Sequence, residues 1–112
     1  METYNSKEES IAFILFYCAQ IDFTLSNEEL DYMKSKTSDK NITKACKEID
    51  NSNDYQIIQK IHSLVQKYWS MDEDKNHLLK DIKTLFLTDG KYNQVERNLF
   101  RGFNQLFTNV NS

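Results

Sequence analysis

The sequence predicts an all-α domain, and three features of its composition support that fold class. The 112 residues include no proline and only two glycines, whereas average usage would give about six and about eight. This shortage argues against a β-sandwich or a β-barrel, whose many tight turns depend on those residues. Hydrophobic residues make up 39% of the chain, which is enough for the core of one domain. We therefore expect residues 1–112 to form a single compact bundle of about six helices.

The first helix is predicted to begin at a capping box, Ser6-Lys7-Glu8-Glu9, and to run to about Ile21. In such a box the serine and glutamate side chains satisfy each other's backbone N–H groups. One face of this helix is apolar, and three aromatic residues extend the apolar surface almost all round. That breadth indicates a central helix packed on several sides. The residues concerned are Ile11, Phe13, Ile14, Leu15, Phe16, Tyr17, Cys18 and Ile21.

The second and third helices are predicted from their caps. Ser26-Asn27-Glu28-Glu29 repeats the capping-box pattern and begins a shorter second helix, with Leu30 and Met33 pointing inward. Ser38 or Asp39 caps a third helix. The inward face of the third helix carries Ile42, Ala45, Cys46 and Ile49.

Three further helices follow the polar break at residues 50–53. Asn53 or Asp54 caps the fourth helix, whose apolar residues recur at the three-four spacing of a buried stripe. An acidic run, Asp72-Glu73-Asp74, suits the start of a fifth helix, which ends near Thr88-Asp89-Gly90. Asn93 caps the last helix. The predicted inward residues are Ile57, Ile58, Ile61, Leu64, Val65, Tyr68 and Trp69, then Leu78, Ile82, Leu85 and Phe86, then Val95, Leu99, Phe103, Leu106 and Val110.

The charge pattern excludes several classes of partner. A net charge of −3 with interspersed acidic and basic residues provides no basic field for nucleic acid.

The apolar run from Ile11 to Ile21 is shorter than the roughly 20 residues that a membrane span needs, and the acidic residues before it do not resemble a signal peptide. Cys18 and Cys46 form no CxxC pair and are expected to be reduced core thiols. We expect a cytoplasmic protein.

The chain contains an internal pseudo-repeat. A shift of 67 residues places Asp22 on Asp89 and Glu29 on Glu96. In both segments an apolar helix ends, an aspartate follows, a polar cap begins a new helix, and a glutamate lies three residues after the cap. The predicted helix–turn–helix junctions are thus similar at the two ends of the chain.

This pattern resembles the TerB-like, tellurite-resistance-associated helical family of bacteria. In that family an apolar helix ends in an Ala-Asp-Gly-type turn, and the next helix begins with a Ser/Thr-x-x-Glu pattern. This combination occurs twice in the chain. Phe23 stands in the first copy where glycine is usual. The resemblance covers roughly residues 11–36 and 77–107. It rests on Ala19-Gln20-Ile21-Asp22 with Ser26 and Glu29, and on Leu87-Thr88-Asp89-Gly90 with Asn93 and Glu96.

The resemblance implies a shared cation site between the two acidic turns. Carried over by residue, its ligands are Asp22, Glu29, Asp89 and Glu96. Hard divalent cations such as Ca²⁺ or Mg²⁺ prefer carboxylate oxygens, and four converging carboxylates would repel one another without a cation. The implied function is a non-enzymatic accessory module in a stress or metal-ion response. Its protein partner is unknown.

A second interpretation of the same residues needs no metal. Glu29 closes a capping box with Ser26, Glu96 does the same with Asn93, and the two aspartates bond to their own backbone in ordinary turns. A true EF-hand is excluded, because the register that ends at Glu96 puts apolar side chains on the first and third ligand positions. Those side chains are Leu85 and Leu87.

The last helix offers an alternative function. Its aromatic residues extend beyond the single stripe that would face the core, so some of them are candidates for a surface that binds a protein partner or a second copy of the chain. These residues are Phe100, Phe103 and Phe107. Gly102 in the same helix suggests a close backbone approach by a neighbouring helix, either of the same chain or of a second chain. The alternative is thus a metal-free interaction or homodimerisation domain.

Nothing in the sequence indicates catalysis. His62 and His77 have no nucleophile or second ligand at a useful spacing, and no phosphate-binding loop, nucleophile elbow or HExxH motif is present. A deep polar pocket at either histidine would revive the idea of chemistry on a small molecule. The sequence therefore predicts no catalytic residue and no cofactor other than the divalent cation.

Overall fold

The computed structural model describes residues 6–20, 26–88 and 94–109, with side chains described except at positions 95–96 and 106–109. Within these ranges the chain forms six α-helices and no strand, which confirms the all-α prediction. The helices are α1 (Lys7–Ala19), α2 (Asn27–Lys36), α3 (Asp39–Asp50), α4 (Asp54–Tyr68), α5 (Asp72–Leu87) and α6 (Gln94–Asn109).

Side-chain caps define where four of these helices begin. Each capping side chain accepts a hydrogen bond from the backbone N–H three residues later, at distances of 2.8–3.2 Å. This satisfies one of the N–H groups that have no partner within the helix. Helix α5 begins after Met71 without a side-chain cap, and its acidic first turn complements the helix dipole instead. The four caps are Ser6 and Ser26, as predicted, and Ser38 and Asn53, each of which was one of two predicted alternatives.

Helix α1 is the centre of the bundle, as its all-round apolar surface predicts. Every residue from Ser10 to Ala19 is buried, and α1 contacts α2, α3, α4 and α5. The helix ends at Ala19, two residues earlier than expected, because the backbone of Gln20 leaves the helical conformation, although its N–H still donates to the Phe16 oxygen as in a helix. Ile21 lies outside the described residues.

The core contains most of the predicted apolar residues from the other five helices. Five members of the predicted faces are only partly buried and pack against the edge of the core, namely Leu30, Cys46, Ile58, Tyr68 and Leu99. The Cys46 thiol lies 3.8 Å from Asp50 Oδ2, and burial together with this carboxylate raises its pKa. The buried members are Met33, Ile42, Ala45, Ile49, Ile57, Ile61, Leu64, Val65, Trp69, Leu78, Ile82, Leu85, Phe86 and Phe103.

Among the described residues Gly102 does not mark a close contact within the chain, so the intramolecular form of the prediction is wrong and the contact with a second chain stays a prediction. It is exposed on α6, and a Cβ atom built on it would meet no atom of the described part of the chain within 4 Å. Glycine in an exposed helix interior costs about 1 kcal/mol relative to alanine, because its backbone loses more freedom on folding.

Gly102→Ala should therefore raise the free energy of unfolding by about 0.5–1 kcal/mol. Urea denaturation followed by circular dichroism measures this change. A destabilised variant would contradict the open environment of Gly102. If the loss of stability also depended on protein concentration, Gly102 would contact a second copy of the chain.

Candidate functional site

The directions of the helices determine whether the two acidic turns can meet. Thr37, directly after α2, donates a hydrogen bond from Oγ1 to the backbone oxygen of Glu8 at 3.2 Å. The end of α2 therefore lies beside the start of α1, and the two helices run antiparallel. It follows that the start of α2 lies beside the end of α1.

Polar contacts give the direction of α5. Tyr32 donates a hydrogen bond from its hydroxyl to Asp81 Oδ1 at 3.4 Å, and Lys36 Nζ lies 3.4 Å from the same oxygen. His77, one turn before Asp81, lines a groove with Lys7 and Lys36. Helix α5 thus runs from the start of α1 towards the start of α2. Its end lies near Glu29, since each residue adds about 1.5 Å along a helix.

Helix α6 returns along α5. Lys83 Nζ lies 5.9 Å from the centroid of the Phe100 ring, and the rings of Tyr17 and Phe103 are 6.5 Å apart. Only a short segment separates α5 from α6, and the contact between Lys83, near the end of α5, and Phe100, in the first half of α6, agrees with an antiparallel α5–α6 pair. The ends of α1 and α5 and the starts of α2 and α6 therefore share one end of the bundle, which we call the acidic end. Its described residues are 19–20, 26–29, 87–88 and 94.

Of the four carboxylates that the family resemblance implies, only Glu29 has a described side chain. Asp22 and Asp89 lie outside the described residues, as does the side chain of Glu96. The backbone of Glu96 is in the first turn of α6 and thus at the acidic end. Among the described residues no group of three or more His, Cys, Asp or Glu side chains could hold a metal. The four-carboxylate site therefore stays a prediction.

Glu29 forms the capping box that the sequence predicts. Its Oε1 accepts hydrogen bonds from the Ser26 backbone N–H and from Ser26 Oγ, both at 3.2 Å. Its own N–H donates to Ser26 Oγ at 3.1 Å. The side chain is 2% exposed, which is unusual for a glutamate.

The aromatic residues of α6 do not form one exposed patch among the described side chains. Phe103 is 2% exposed and packs in the core against Tyr17. Phe100 is half-buried beneath the ammonium group of Lys83. The side chain of Phe107 lies outside the described residues. Of the predicted partner surface, therefore, Phe100 is the described residue that a partner could reach, and Phe103 supports the fold.

The two histidines differ in environment. His62 is half-buried on α4, whereas His77 is exposed and lines a groove between α1, α2 and α5. The groove is broad and open rather than deep. Its polar residues were not predicted as a site, because they come from three helices far apart in the chain and no local motif connects them. They are Lys7, Glu8, Lys36, His77 and Asp81.

Tyr32, which donates a hydrogen bond to the groove residue Asp81, has a perturbed acidity. Burial and the neighbouring Asp81 carboxylate raise the pKa of its hydroxyl to about 12 from 10.0. The folded state therefore keeps a proton that the unfolded state loses above pH 10. Stability from this group is fully present below about pH 10 and is lost as the pH rises towards about 12.

Tyr32→Phe should flatten the fall of the unfolding free energy between pH 9.5 and 11.5, because phenylalanine has no proton to lose. Urea denaturation at a series of pH values measures the slope. Part of the slope should persist, since burial, Asp54 and Cys18 also raise the pKa of Tyr17. An unchanged slope would show that the Tyr32 hydroxyl titrates normally.

Two further findings concern relatives and membranes. No family model, curated protein sequence or solved structure matches this chain. The TerB-like resemblance therefore rests on the sequence pattern alone. In the described part of the chain, no helix has both the length and the apolar character required to cross a membrane.

Proposed function

We propose that this chain is a non-enzymatic, TerB-like accessory module of the bacterial cytoplasm that acts through protein contacts and binds a divalent cation at the acidic end. The observation that supports this proposal most is the arrangement of the helices. The two segments that carry Asp22 and Asp89 connect helix ends at the same end of the bundle. A shared site would be impossible if those ends lay at opposite poles.

The burial of Glu29 adds a chemical argument. A carboxylate removed from water is costly unless hydrogen bonds or a positive charge compensate it. Its capping bonds supply part of this compensation through Oε1, and the starts of α2 and α6 direct backbone N–H groups towards the same end. A hard cation between Glu29, Glu96 and the two aspartates would add to this compensation and would link both helix pairs.

Metal-dependent stability tests this proposal. We expect Ca²⁺ or Mg²⁺ at ten times its dissociation constant to stabilise the protein by about 1.4 kcal/mol, as mass action requires for one site. The double variant Asp89→Asn, Glu96→Gln should fold normally and lose this increment. Thermal unfolding with and without each cation measures both.

A matched control uses the acidic first turn of α5. Asp72→Asn with Glu73→Gln removes the same number of charges from the opposite end of α5 and should keep the full metal response. If Ca²⁺, Mg²⁺ and Mn²⁺ all leave the melting temperature unchanged, or if both double variants lose the response equally, no cation site exists at the acidic end.

The second candidate function is a metal-free interaction or homodimerisation domain. The observation that favours it is the outer surface of α6, where Leu99 and Phe100 are only partly buried and Gly102 is exposed. Phe100→Ser should then shift a dimer to monomer in sedimentation velocity, with the helix content unchanged. A monomeric wild-type protein over the micromolar to millimolar range would exclude self-association.

A further inference from the structure

The start of α5 differs from the other helix starts that the structure describes. Helices α1 to α4 each have a serine or asparagine cap, whose side chain accepts a hydrogen bond from the backbone N–H three residues later. At the same position α5 has Met71, which makes no side-chain capping bond. A thioether sulfur is only a weak hydrogen-bond acceptor. The N–H groups in the first turn of α5 therefore receive no strong acceptor from the cap residue.

The backbone of Met71 already has the conformation of a capping residue. Its φ of −89° and ψ of 151° lie in the extended region, as is typical of helix caps. Its carbonyl oxygen accepts a hydrogen bond from the Lys75 N–H at 3.0 Å, which closes the first turn of the helix. A strong acceptor atom on the side chain is thus the component of a cap that this position lacks.

Met71 is also the most exposed sulfur-containing residue in the described part of the chain. It is 67% exposed, whereas Met33 and Cys18 have no exposed surface. Cys46 is partly buried, and its raised pKa keeps the thiol protonated, which slows its oxidation. A dissolved oxidant should therefore react at Met71 before it reacts at these three residues.

We propose that Met71 is a site of reversible oxidation by hydrogen peroxide and that the sulfoxide oxygen caps α5. The thioether sulfur attacks one peroxide oxygen, an S–O bond forms as the O–O bond breaks, and water leaves after proton transfer. The sulfur loses two electrons and the peroxide gains them. Reduction by two thiols, which a methionine sulfoxide reductase catalyses, restores the thioether and releases water and a disulfide.

The sulfoxide oxygen accepts a hydrogen bond from the Asp74 N–H, as the Ser38 hydroxyl oxygen does from the Asn41 N–H at the start of α3. Oxidation of a buried methionine disrupts a core because it places a polar group there. At Met71 the added oxygen stays near solvent and meets an N–H group that has no partner within the helix. The sulfoxide should therefore stabilise the protein, although less than a serine cap, because the longer side chain loses more rotamer freedom.

Peroxide treatment followed by peptide mass spectrometry and thermal unfolding tests the site. We expect Met71 to gain one oxygen atom well before Met33 does. The oxidised protein should melt about 2 °C higher than the reduced protein, and Met71→Ser about 4 °C higher, as expected for a weak and a strong cap. A methionine sulfoxide reductase should reverse the shift. An unchanged or lower melting temperature after oxidation of Met71 would overturn the proposal.

Met71→Leu is the control for oxidation elsewhere in the chain, including Met1 and the two cysteines. Leucine keeps an apolar side chain at this position but has no sulfur, so peroxide should leave the melting temperature of this variant unchanged. A shift in Met71→Leu as large as that of the wild type would assign the effect to another residue and contradict the role of Met71.

The amide of Asp74 reports on the capping bond itself. On oxidation of Met71 its hydrogen exchange should slow about threefold, the effect of one weak hydrogen bond, whereas the Asn41 amide, which Ser38 already caps, should not change. Met71→Gln carries an oxygen at the same distance along the side chain and should protect Asp74 without peroxide. Equal exchange of Asp74 before and after oxidation would show that the sulfoxide does not cap α5.

Discussion

Phe13→Ala is expected to lower the free energy of unfolding by about 3–5 kcal/mol, the usual cost of a large-to-small change in a packed core. Phe13 has no exposed surface and lies in the middle of α1, which packs against four other helices. Its ring also lies 5.3 Å from the ammonium group of Lys60. Loss of the ring would leave a cavity that several helices would have to close together.

Urea denaturation of Phe13→Ala beside Tyr55→Ala measures this effect with an internal control. Tyr55 is also aromatic but is 73% exposed, so its replacement should change the free energy of unfolding by less than about 0.5 kcal/mol. A loss below about 1 kcal/mol for Phe13→Ala would show that α1 is not the centre of the bundle.

Glu29→Ala is expected to cost about 2 kcal/mol in the absence of metal. The variant loses the carboxylate that accepts hydrogen bonds from the Ser26 N–H and hydroxyl, and it leaves these donors near a buried surface. A typical hydrogen bond contributes about 1 kcal/mol to stability, and two donors lose their acceptor in this variant. Thermal or urea unfolding in the presence of a chelator measures this change.

Glu29→Gln separates the cap from the cation site. Glutamine keeps an oxygen that can accept the capping bonds, so stability in chelator should fall by much less than in Glu29→Ala. Because the charge is gone, the increment from Ca²⁺ or Mg²⁺ should disappear. A full metal response in Glu29→Gln would remove Glu29 from the cation site and leave only its role in the cap.

The capping box of α4 provides the matched control for both Glu29 variants. Asn53 and Gln56 exchange the same pair of hydrogen bonds at an exposed position. Gln56→Ala should cost about 1 kcal/mol or less and should not alter any metal response. A metal response that changes in Gln56→Ala would indicate a general effect of helix stability rather than a site.

The helices were predictable because their signals are local. Ser6, Ser26, Ser38 and Asn53 each begin a helix through a bond to a residue three positions away, a contact that any tertiary arrangement preserves. The central position of α1 followed from an apolar surface too broad for a helix at the edge of the bundle. Both inferences can be made without knowledge of which helices are neighbours.

Features that depend on neighbouring helices were less predictable. Gly102 was expected to lie against another helix, but the helix neighbours leave it open to solvent. Lys75 is only 4% exposed. Its residue type favours the surface, although it continues the three-four stripe of Leu78 and Ile82 and can bury its aliphatic stem. Tyr32 meets Asp81 across 49 residues, and no local pattern encodes that contact.

The candidate site shows the same division. The Ser26–Glu29 cap and the pseudo-repeat of acidic turns were predictable from the sequence. That the two helix–turn–helix junctions lie at the same end of the bundle follows only from the directions of the helices. Phe23 stands where the second turn has Gly90, so the two turns need not contribute equally to a cation. We expect the second turn, with Asp89 and Glu96, to supply most of the affinity.

Paramagnetic broadening by Mn²⁺ tests most directly whether the two acidic segments share one cation. A ¹⁵N-labelled sample with substoichiometric Mn²⁺ should lose the amide signals of Ser26–Glu29 together with those of Thr88 and Gln94, with a single midpoint. The amides of Asp72–Asp74, an acidic run at the other end of α5, should stay sharp. Broadening of only one of the two flanks, or stronger broadening at Asp72–Asp74, would contradict a shared site at the acidic end.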